Sequence, residues 1–264
     1  DHIPNTPRQI LIYQALGAKL PEFAHIPMIL GPDRAKLSKR HGAPSVLDYR
    51  TMGYLPDAVV NFLARLGWSH GDQEIFSREE LVRFFSLEHV GKAAGIFDTE
   101  KLSWLNGHYL RETPAATLAP MLQEFLEKIG IPVADQGLLA KVARTLQPRA
   151  HTLADMAEQA RFYFQDPRPY DDKAAAKFLT VRAKPVLETL AARLAALPDF
   201  TEEAVNQVFK EIQQESGLKM KEIAQAVRLG LTGRTASPGL FDIMEILGRP
   251  EVQRRLQTAI NACR

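Results

Sequence analysis

The chain has 264 residues, 45% hydrophobic and 24% charged, a composition typical of a globular protein with room for more than one hydrophobic core. A formal net charge of +2 excludes nonspecific polyanion binding through the whole surface, so any RNA must bind local basic clusters. The single cysteine excludes a disulfide within the chain, and no apolar run approaches the ~18 residues that a membrane span needs.

The N-terminal segment predicts one helix and one short strand. The helix covers residues 7–18, with Thr6 as its N-cap and Pro7 at its first position. Residues 23–30 predict the strand, and Pro27 restricts it to the edge or the end of a sheet. No later segment predicts a strand.

Residues 31–43 form a compact cationic loop with the sequence Gly-Pro-Asp-Arg-Ala-Lys-Leu-Ser-Lys-Arg-His-Gly-Ala. Turn residues open the loop, and Gly42 and Pro44 prevent it from continuing into a helix or strand. Its lysine, arginine and serine side chains suit a polyphosphate, because the cations offset its charge while hydroxyl and backbone donors bind its oxygens. A solvated basic turn is the alternative interpretation.

The next segments predict helices with clear start signals. Residues 56–67 carry apolar side chains at helical spacing and end at a glycine. Residues 77–80 predict a capping box, and Asp98 is the predicted N-cap of the following helix. We expect both tryptophans, Trp68 and Trp104, to lie on apolar faces in the core.

From residue 114 onward the pattern predicts helix after helix, separated by capping residues, glycine or proline. Residues 165–169 contain two prolines and form the clearest interruption, so we expect a turn between two subdomains there. The helices predicted after this turn cover residues 173–182, 185–197, 201–215, 219–230, 238–247 and 250–262.

The loop sequence Lys36-Leu-Ser-Lys-Arg40 resembles the KMSKS loop of class I aminoacyl-tRNA synthetases, and the following His41 and Gly42 are similar to the glutamyl-tRNA synthetase branch. Four further segments carry the resemblance along nearly the whole chain: residues 53–58, 61–68, 97–107 and 231–241. The chain opens at Asp1 without an initiator methionine and without a His-Ile-Gly-His-like signature. The resemblance therefore implies the C-terminal part of a bacterial-type enzyme whose nucleotide-binding half lies upstream.

The resemblance implies a mostly α chain in three parts. Residues 1–113 correspond to the end of the class I catalytic fold, the KLSKR loop and a helical stem-contact region. Residues 114–165 and 166–264 correspond to the two subdomains of an all-helical anticodon-binding domain. The whole enzyme is expected to be an ATP-dependent glutamate–tRNA ligase, whereas this chain alone should bind tRNA without activating glutamate.

The resemblance also assigns an ATP-binding set. In this family the carboxylate of glutamate attacks the α-phosphate of ATP, and a loop lysine that reaches the phosphoryl oxygens stabilises the transition state selectively. By resemblance Lys39 is this catalytic lysine. The full ATP-binding set is Ile29, Leu30, Lys36, Leu37, Ser38, Lys39 and Arg40. The residues Asp1, His2, Asn5 and Gln9 match a stretch that lines the amino-acid and ribose pocket, with a frayed terminus as the alternative.

A second set of residues is implied for the anticodon. Arg149 follows a helix end, and a base edge is a natural partner for its guanidinium group. The resemblance places Arg149 on the third anticodon base, where an arginine implies an enzyme restricted to glutamate tRNA. It also implies anticodon contacts from Arg228, Ser237, Pro238 and Leu240. The alternatives are a surface salt bridge for Arg149 and a helix stop with an N-cap for the second group.

The resemblance implies ATP with Mg²⁺ as cofactors of the intact enzyme, although the scattered histidines and single cysteine predict no metal site in this chain. It further implies glutamate tRNA, ATP and glutamate as partners, a cytoplasmic monomer and no membrane contact. Three other functions stay open. They are a glutaminyl-type or non-discriminating enzyme, a tRNA-modifying paralogue without an anticodon domain, and a non-catalytic helical RNA-binding module.

Overall fold

The computed structural model describes residues 2–37 and 45–264 and divides the chain into two compact units, Asp1–Glu112 and Thr113–Arg264. In these ranges nearly all regular structure is helical, and strands occur only as two segments of two residues each. The expected mostly α fold is therefore confirmed. The helical second unit contradicts the β-barrel that a glutaminyl-type anticodon part requires, whereas a further division near residue 165 stays a prediction.

The first unit joins short helices to a minimal parallel sheet. Its elements are α1 (Thr6–Ala15), β1 (Ile29–Leu30), α2 (Val46–Thr51), α3 (Pro56–Arg65), α4 (Arg78–Phe84), β2 (Gly95–Ile96) and α5 (Thr99–Glu112). Ile29 lies opposite Gly95 and Leu30 opposite Ile96. The predicted strand is thus limited to its last two residues, and the expectation of no later strand was wrong. A two-residue strand such as β2 is too short to show an alternating pattern.

Two helix starts of the first unit follow the capping signals. The predicted N-cap Thr6 was wrong, because Thr6 is the first residue of α1 and Asn5 occupies the N-cap position without a side-chain hydrogen bond. The Oγ atom of Ser77 accepts a hydrogen bond from the backbone of Glu80 at 3.1 Å, and the Glu80 carboxylate accepts one from the backbone of Ser77 at 2.7 Å. Asp98 accepts hydrogen bonds from two backbone N–H groups at the start of α5. These contacts confirm the predicted capping box and the Asp98 cap. Both could be predicted because they involve residues within three positions of each other in the sequence.

Of the two tryptophans, only Trp68 lies in the core as predicted, with 3% of its surface exposed. Trp104 is 49% exposed, so its predicted burial was wrong. The buried face of α5 is formed by Leu102, Leu105 and Leu110, and Trp104 falls beside this face on the helix surface. Helical spacing alone does not separate the edge of an apolar stripe from its centre.

The second unit contains helices only. They are α6 (Ala115–Lys128), α7 (Gln136–Leu146), α8 (Leu153–Phe164), α9 (Asp172–Phe178), α10 (Lys184–Ala196), α11 (Glu202–Ser216), α12 (Met220–Thr232) and α13 (Leu240–Ala262). The first three helices pack on one another, and α9 to α13 share a second core. The two helices predicted at 238–247 and 250–262 correspond to the two parts of α13. They are separated by a kink at Gly248, whose φ of 73° and ψ of 160° are not helical.

Candidate nucleic-acid interface

A cleft of about 560 Å³ in the second unit brings together three of the five residues predicted to contact an anticodon, namely Arg149, Ser237 and Pro238. One wall is the end of α7 with one face of α8, and another is the turn formed by residues 233–238 between α12 and α13. The lining is completed by two residues at the start of α9, Asp171 and Ala174. The residues of the two walls are far apart in sequence. The packing of α12 and α13 against α7 and α8 therefore creates the cleft.

The wall formed by residues 233–238 is held in a fixed shape. Gly233 ends α12 with φ of 70°, and its N–H donates to the carbonyl of Leu229 at 2.8 Å. The Thr232 hydroxyl donates to the carbonyl of Arg228 at 2.8 Å and accepts from the backbone N–H of Arg234 at 3.2 Å. A Cβ atom at Gly233 would collide with the carbonyl oxygen of Pro167, so glycine is required here on two counts.

Arg228 supports this turn from the inside. Its Nη1 atom donates to the hydroxyl of Ser237, to the carbonyl of Ser237 at 3.3 Å and to the carbonyl of Pro238 at 2.8 Å. Burial, followed by the nearby positive charge of Arg149, lowers the pKa of Arg228. Arg149 lines the cleft and Arg228 lies behind the turn that forms its wall, and the two guanidinium groups are within electrostatic reach of each other.

Arg149 lies on the surface at the end of α7, and its backbone N–H donates to the carbonyl of Leu146 at 3.0 Å. Within the ranges that the structure describes, its guanidinium group makes no ion pair. The surface salt bridge that was the alternative interpretation for Arg149 is therefore absent from the described part of the chain. An exposed arginine beside a second cation favours a polyanionic partner over a structural role.

Leu240 differs from the other four predicted residues. Its side chain is 6% exposed and belongs to the core of α9 to α13, below the turn. Its direct contact with a base stays a prediction. Three residues that the sequence did not single out, Gln159, Phe162 and Arg234, line the same cleft. Gln159 and Phe162 lie within an ordinary amphipathic helix, so no local pattern distinguishes them.

Both walls of the cleft are tied to one buried side chain. Arg255 is 2% exposed, and its Nη1 atom donates to the carbonyls of Phe162 and Leu231, each at 2.5 Å. Its Nη2 atom donates to the carbonyl of Gln165 at 3.2 Å, and its Nε atom donates to Glu251 at 2.6 Å. Phe162 lines one wall and Leu231 lies two residues before the other, so this guanidinium links the two walls.

Acid is expected to weaken this arrangement. Hydrogen bonds from Arg254, and then from Arg255, lower the pKa of Glu251 to about 2, against an ordinary value of 4.5. Hydrogen bonds from Arg168 and Arg254 hold the pKa of Asp166 well below its usual range. For both Glu251 and Asp166 the pKa in the folded state lies below the pKa in the unfolded state. The stability that these carboxylates contribute is therefore complete above their ordinary pKa values and is lost as the pH falls.

Urea unfolding at pH 7, 5 and 3, followed by circular dichroism, measures this loss. The matched control is Glu251→Gln, which keeps the shape of the side chain and removes its titration. We expect a smaller decrease of the unfolding midpoint between pH 5 and pH 3 in this variant than in the unaltered chain. An identical decrease in both proteins would contradict the assignment.

A second cleft, also of about 560 Å³, lies in the first unit and collects Ile29, Lys36 and Leu37 of the predicted ATP-binding set together with His2 and Gln9. The backbone N–H of Leu37 donates to the carbonyl of Ile29 at 3.0 Å, and Leu30 forms a β-bridge with Lys36. This turn places the strand end beside the start of the cationic loop.

Several predicted residues are not part of this cleft. Leu30 does not line it, and Asn5 lies outside it with its amide 3.2 Å from the ring of His2. Asp1, Ser38, Lys39 and Arg40 lie outside the described residues. In the part of the chain that is described, no three histidine, cysteine, aspartate or glutamate side chains come close enough to hold a metal ion. Within the same ranges, no helix has the length and apolar character needed to cross a bilayer.

Comparison with known proteins matches both parts of the chain. The family described as tRNA synthetases class I (E and Q), catalytic domain, matches residues 1–104, and the anticodon binding domain family matches residues 117–260. A glutamate–tRNA ligase from Syntrophobacter fumaroxidans is 56% identical over 260 residues, which are 98% of this chain and 56% of that protein. The corresponding ligase from Geobacter sulfurreducens is 51% identical over the same shares.

Solved structures agree with these matches. The crystal structure of a glutamate tRNA ligase from Elizabethkingia meningosepticum, in complex with its amino acid, superimposes with a TM-score of 0.86 at 30% identity. The superposition covers 100% of this chain and 56% of that protein. The chain therefore spans just over half the length of the relatives it matches.

Proposed function

We propose that this chain, which belongs to the class I tRNA synthetases of the glutamate and glutamine type, is the tRNA-reading part of a glutamate–tRNA ligase. The whole protein would form glutamyl-adenylate from glutamate and ATP and then transfer glutamate to its tRNA. A cytoplasmic location and a monomeric state belong to the same proposal. The observation that carries it is the grouping of Arg149 with the Arg228-supported turn at Ser237 and Pro238 in one cleft.

The genetic code defines the base that Arg149 would read. Glutamate codons begin with guanine, so the third anticodon base of glutamate tRNA is cytosine, whose pairing edge offers the acceptors N3 and O2. Glutamine codons begin with cytosine, so their tRNA carries guanine. The pairing edge of guanine has N–H donors at N1 and N2, where cytosine has acceptors at N3 and O2, and a single acceptor at O6. An arginine side chain can only donate. The N–H donors of Arg149 therefore complement the N3 and O2 acceptors of cytosine, whereas they would face the N–H donors at N1 and N2 of guanine. This difference supports restriction to glutamate tRNA.

The cleft of the first unit would bind ATP. Ile29 and Leu37 provide apolar surface for the adenine ring, and Lys36 provides a cation for the phosphates. Ser38, Lys39 and Arg40 continue the same loop, and Lys39 is proposed as the lysine that stabilises the charge developing at the α-phosphate. Mg²⁺ finds no ligand set in the described residues, so its coordination is not assigned to them.

The test is binding of the chain to glutamate tRNA and to the same tRNA with guanine as its third anticodon base, at one fixed salt concentration. We expect guanine to cost about 1–3 kcal/mol of binding free energy. Replacing Arg149 by glutamine should reduce this difference, because an amide can also accept the hydrogen bonds that guanine offers.

The matched control is Arg144→Gln, which removes an exposed arginine of α7 that does not line the cleft. This variant should retain the full difference between the two tRNAs. Equal binding of both tRNAs to the unaltered chain would leave only nonspecific electrostatic attraction and would overturn the proposed role of the cleft.

A further inference from the structure

Gln159 has an orientation that is fixed by a neighbouring carboxylate. Its Nε2 atom donates to Oδ1 of Asp155, one helical turn earlier in α8, at 2.9 Å. The other oxygen of Asp155 accepts from the backbone N–H of His151 at 3.0 Å, so the carboxylate is itself anchored at the start of the helix. Because a carboxylate without a proton only accepts hydrogen bonds, the nitrogen of the Gln159 amide must face Asp155. Its oxygen is then directed away from Asp155.

This oxygen belongs to a side chain that lines the cleft containing Arg149. Gln159 is half-buried and lines that cleft, and within the described part of the chain its Oε1 atom accepts no hydrogen bond. Arg149 lines the same cleft and can only donate. The two side chains therefore offer a pair of donor and acceptor functions to whatever ligand enters.

We propose that Gln159 is a specificity-determining residue for the third anticodon base. Its Oε1 atom accepts a hydrogen bond from the exocyclic amine of cytosine, while Arg149 donates to the N3 and O2 atoms of the same base. Uracil carries a carbonyl oxygen in place of that amine, so two acceptors would face each other. Arg149 thus rejects guanine. In uracil it also loses the N3 acceptor, because uracil carries a proton at N3, and Gln159 adds a second penalty against uracil at the exocyclic position. This inference rests on the proposed function of the cleft.

A double-mutant cycle between protein and RNA tests the contact. The probes are synthetic anticodon stem–loops of glutamate tRNA that carry, as the third anticodon base, cytosine or 2-pyrimidinone, which is cytosine without its exocyclic amine. The protein change is Gln159→Met, which keeps a side chain of similar length and removes the acceptor. We expect removal of the amine to weaken binding to the unaltered chain about three- to tenfold. In Gln159→Met the two RNAs should bind equally well.

A matched control is Gln257→Met, which alters an exposed glutamine of α13 that is hydrogen-bonded to Asn261 at 3.2 Å and does not line the cleft. It should leave the cost of removing the amine unchanged. If that cost is the same in Gln159→Met as in the unaltered chain, the assignment of Gln159 is overturned.

A third stem–loop with guanine at the same position separates the failure of this inference from that of the proposed function. If the unaltered chain prefers cytosine to guanine but the amine cycle shows no coupling, only the role of Gln159 is lost. If cytosine and guanine bind equally, the cleft does not read this base and both proposals are overturned.

Discussion

Arg255→Met is expected to lower the free energy of unfolding of the second unit by about 3–5 kcal/mol, the cost of removing one partner from a buried charged network. The buried carbonyl groups of Phe162 and Leu231 and the part-buried carbonyl of Gln165 would lose a charged donor. The carboxylate of Glu251 would keep only its contact with Arg254, at 2.7 Å. The methionine side chain fills much of the volume of the arginine side chain. The decrease in the free energy of unfolding would therefore arise mainly from the lost hydrogen bonds and charge and less from a cavity.

Urea unfolding followed by circular dichroism measures this effect. Trp68 and Trp104 both lie in the first unit, so tryptophan fluorescence reports the unfolding of that unit separately. The control is Arg254→Met, which removes a neighbouring arginine whose side chain is 48% exposed. An exposed ion pair contributes about 0–1 kcal/mol, so the loss of the pairs with Glu251 and Asp166 in this variant should be clearly smaller than the loss in Arg255→Met. A similar small loss in Arg255→Met would show that the buried guanidinium does not hold the unit together.

The contrast between the two adjacent arginines illustrates the limit of what the sequence could predict. Both occur in a charged stretch of α13 that is typical of a solvated helix surface, yet Arg255 is buried and Arg254 is not. The burial of Arg255 follows from the approach of α8 and the end of α12, which no local pattern records. Capping by Ser77 and Asp98, by contrast, depends on residues within one helical turn and was predicted correctly.

In the candidate site, too, the sequence predicted some features and tertiary packing determined the others. Arg149, Arg228, Ser237 and Pro238 were identified by resemblance, because the family motif includes both segments. That Arg149, Ser237 and Pro238 line one cleft follows from tertiary packing and could not be inferred from spacing. The sequence also could not show that Arg228 directs one nitrogen into the turn that carries Ser237. This contact changes the role we expect for Arg228.

Arg228→Met is expected to weaken binding of the glutamate tRNA stem–loop by about 1.5–3 kcal/mol, the contribution typical of hydrogen bonds that involve a charged group. In the structure Arg228 Nη1 donates to Ser237 and Pro238. The turn formed by residues 233–238 should therefore relax when this donor is lost. Since the turn is one wall of the cleft, the loss should be similar for every third anticodon base.

An equal loss of binding free energy for every third anticodon base would distinguish the role of Arg228 from that of Arg149. Stem–loops with cytosine or guanine in the third position should both bind Arg228→Met more weakly by the same factor, whereas Arg149→Gln should change mainly their ratio. Arg228→Lys provides the matched comparison. It keeps the positive charge, but a single ammonium group does not reproduce the planar guanidinium that reaches both carbonyls. If Arg228→Lys binds as tightly as the unaltered chain, charge alone explains the role of Arg228, and the support of the turn is not required for recognition.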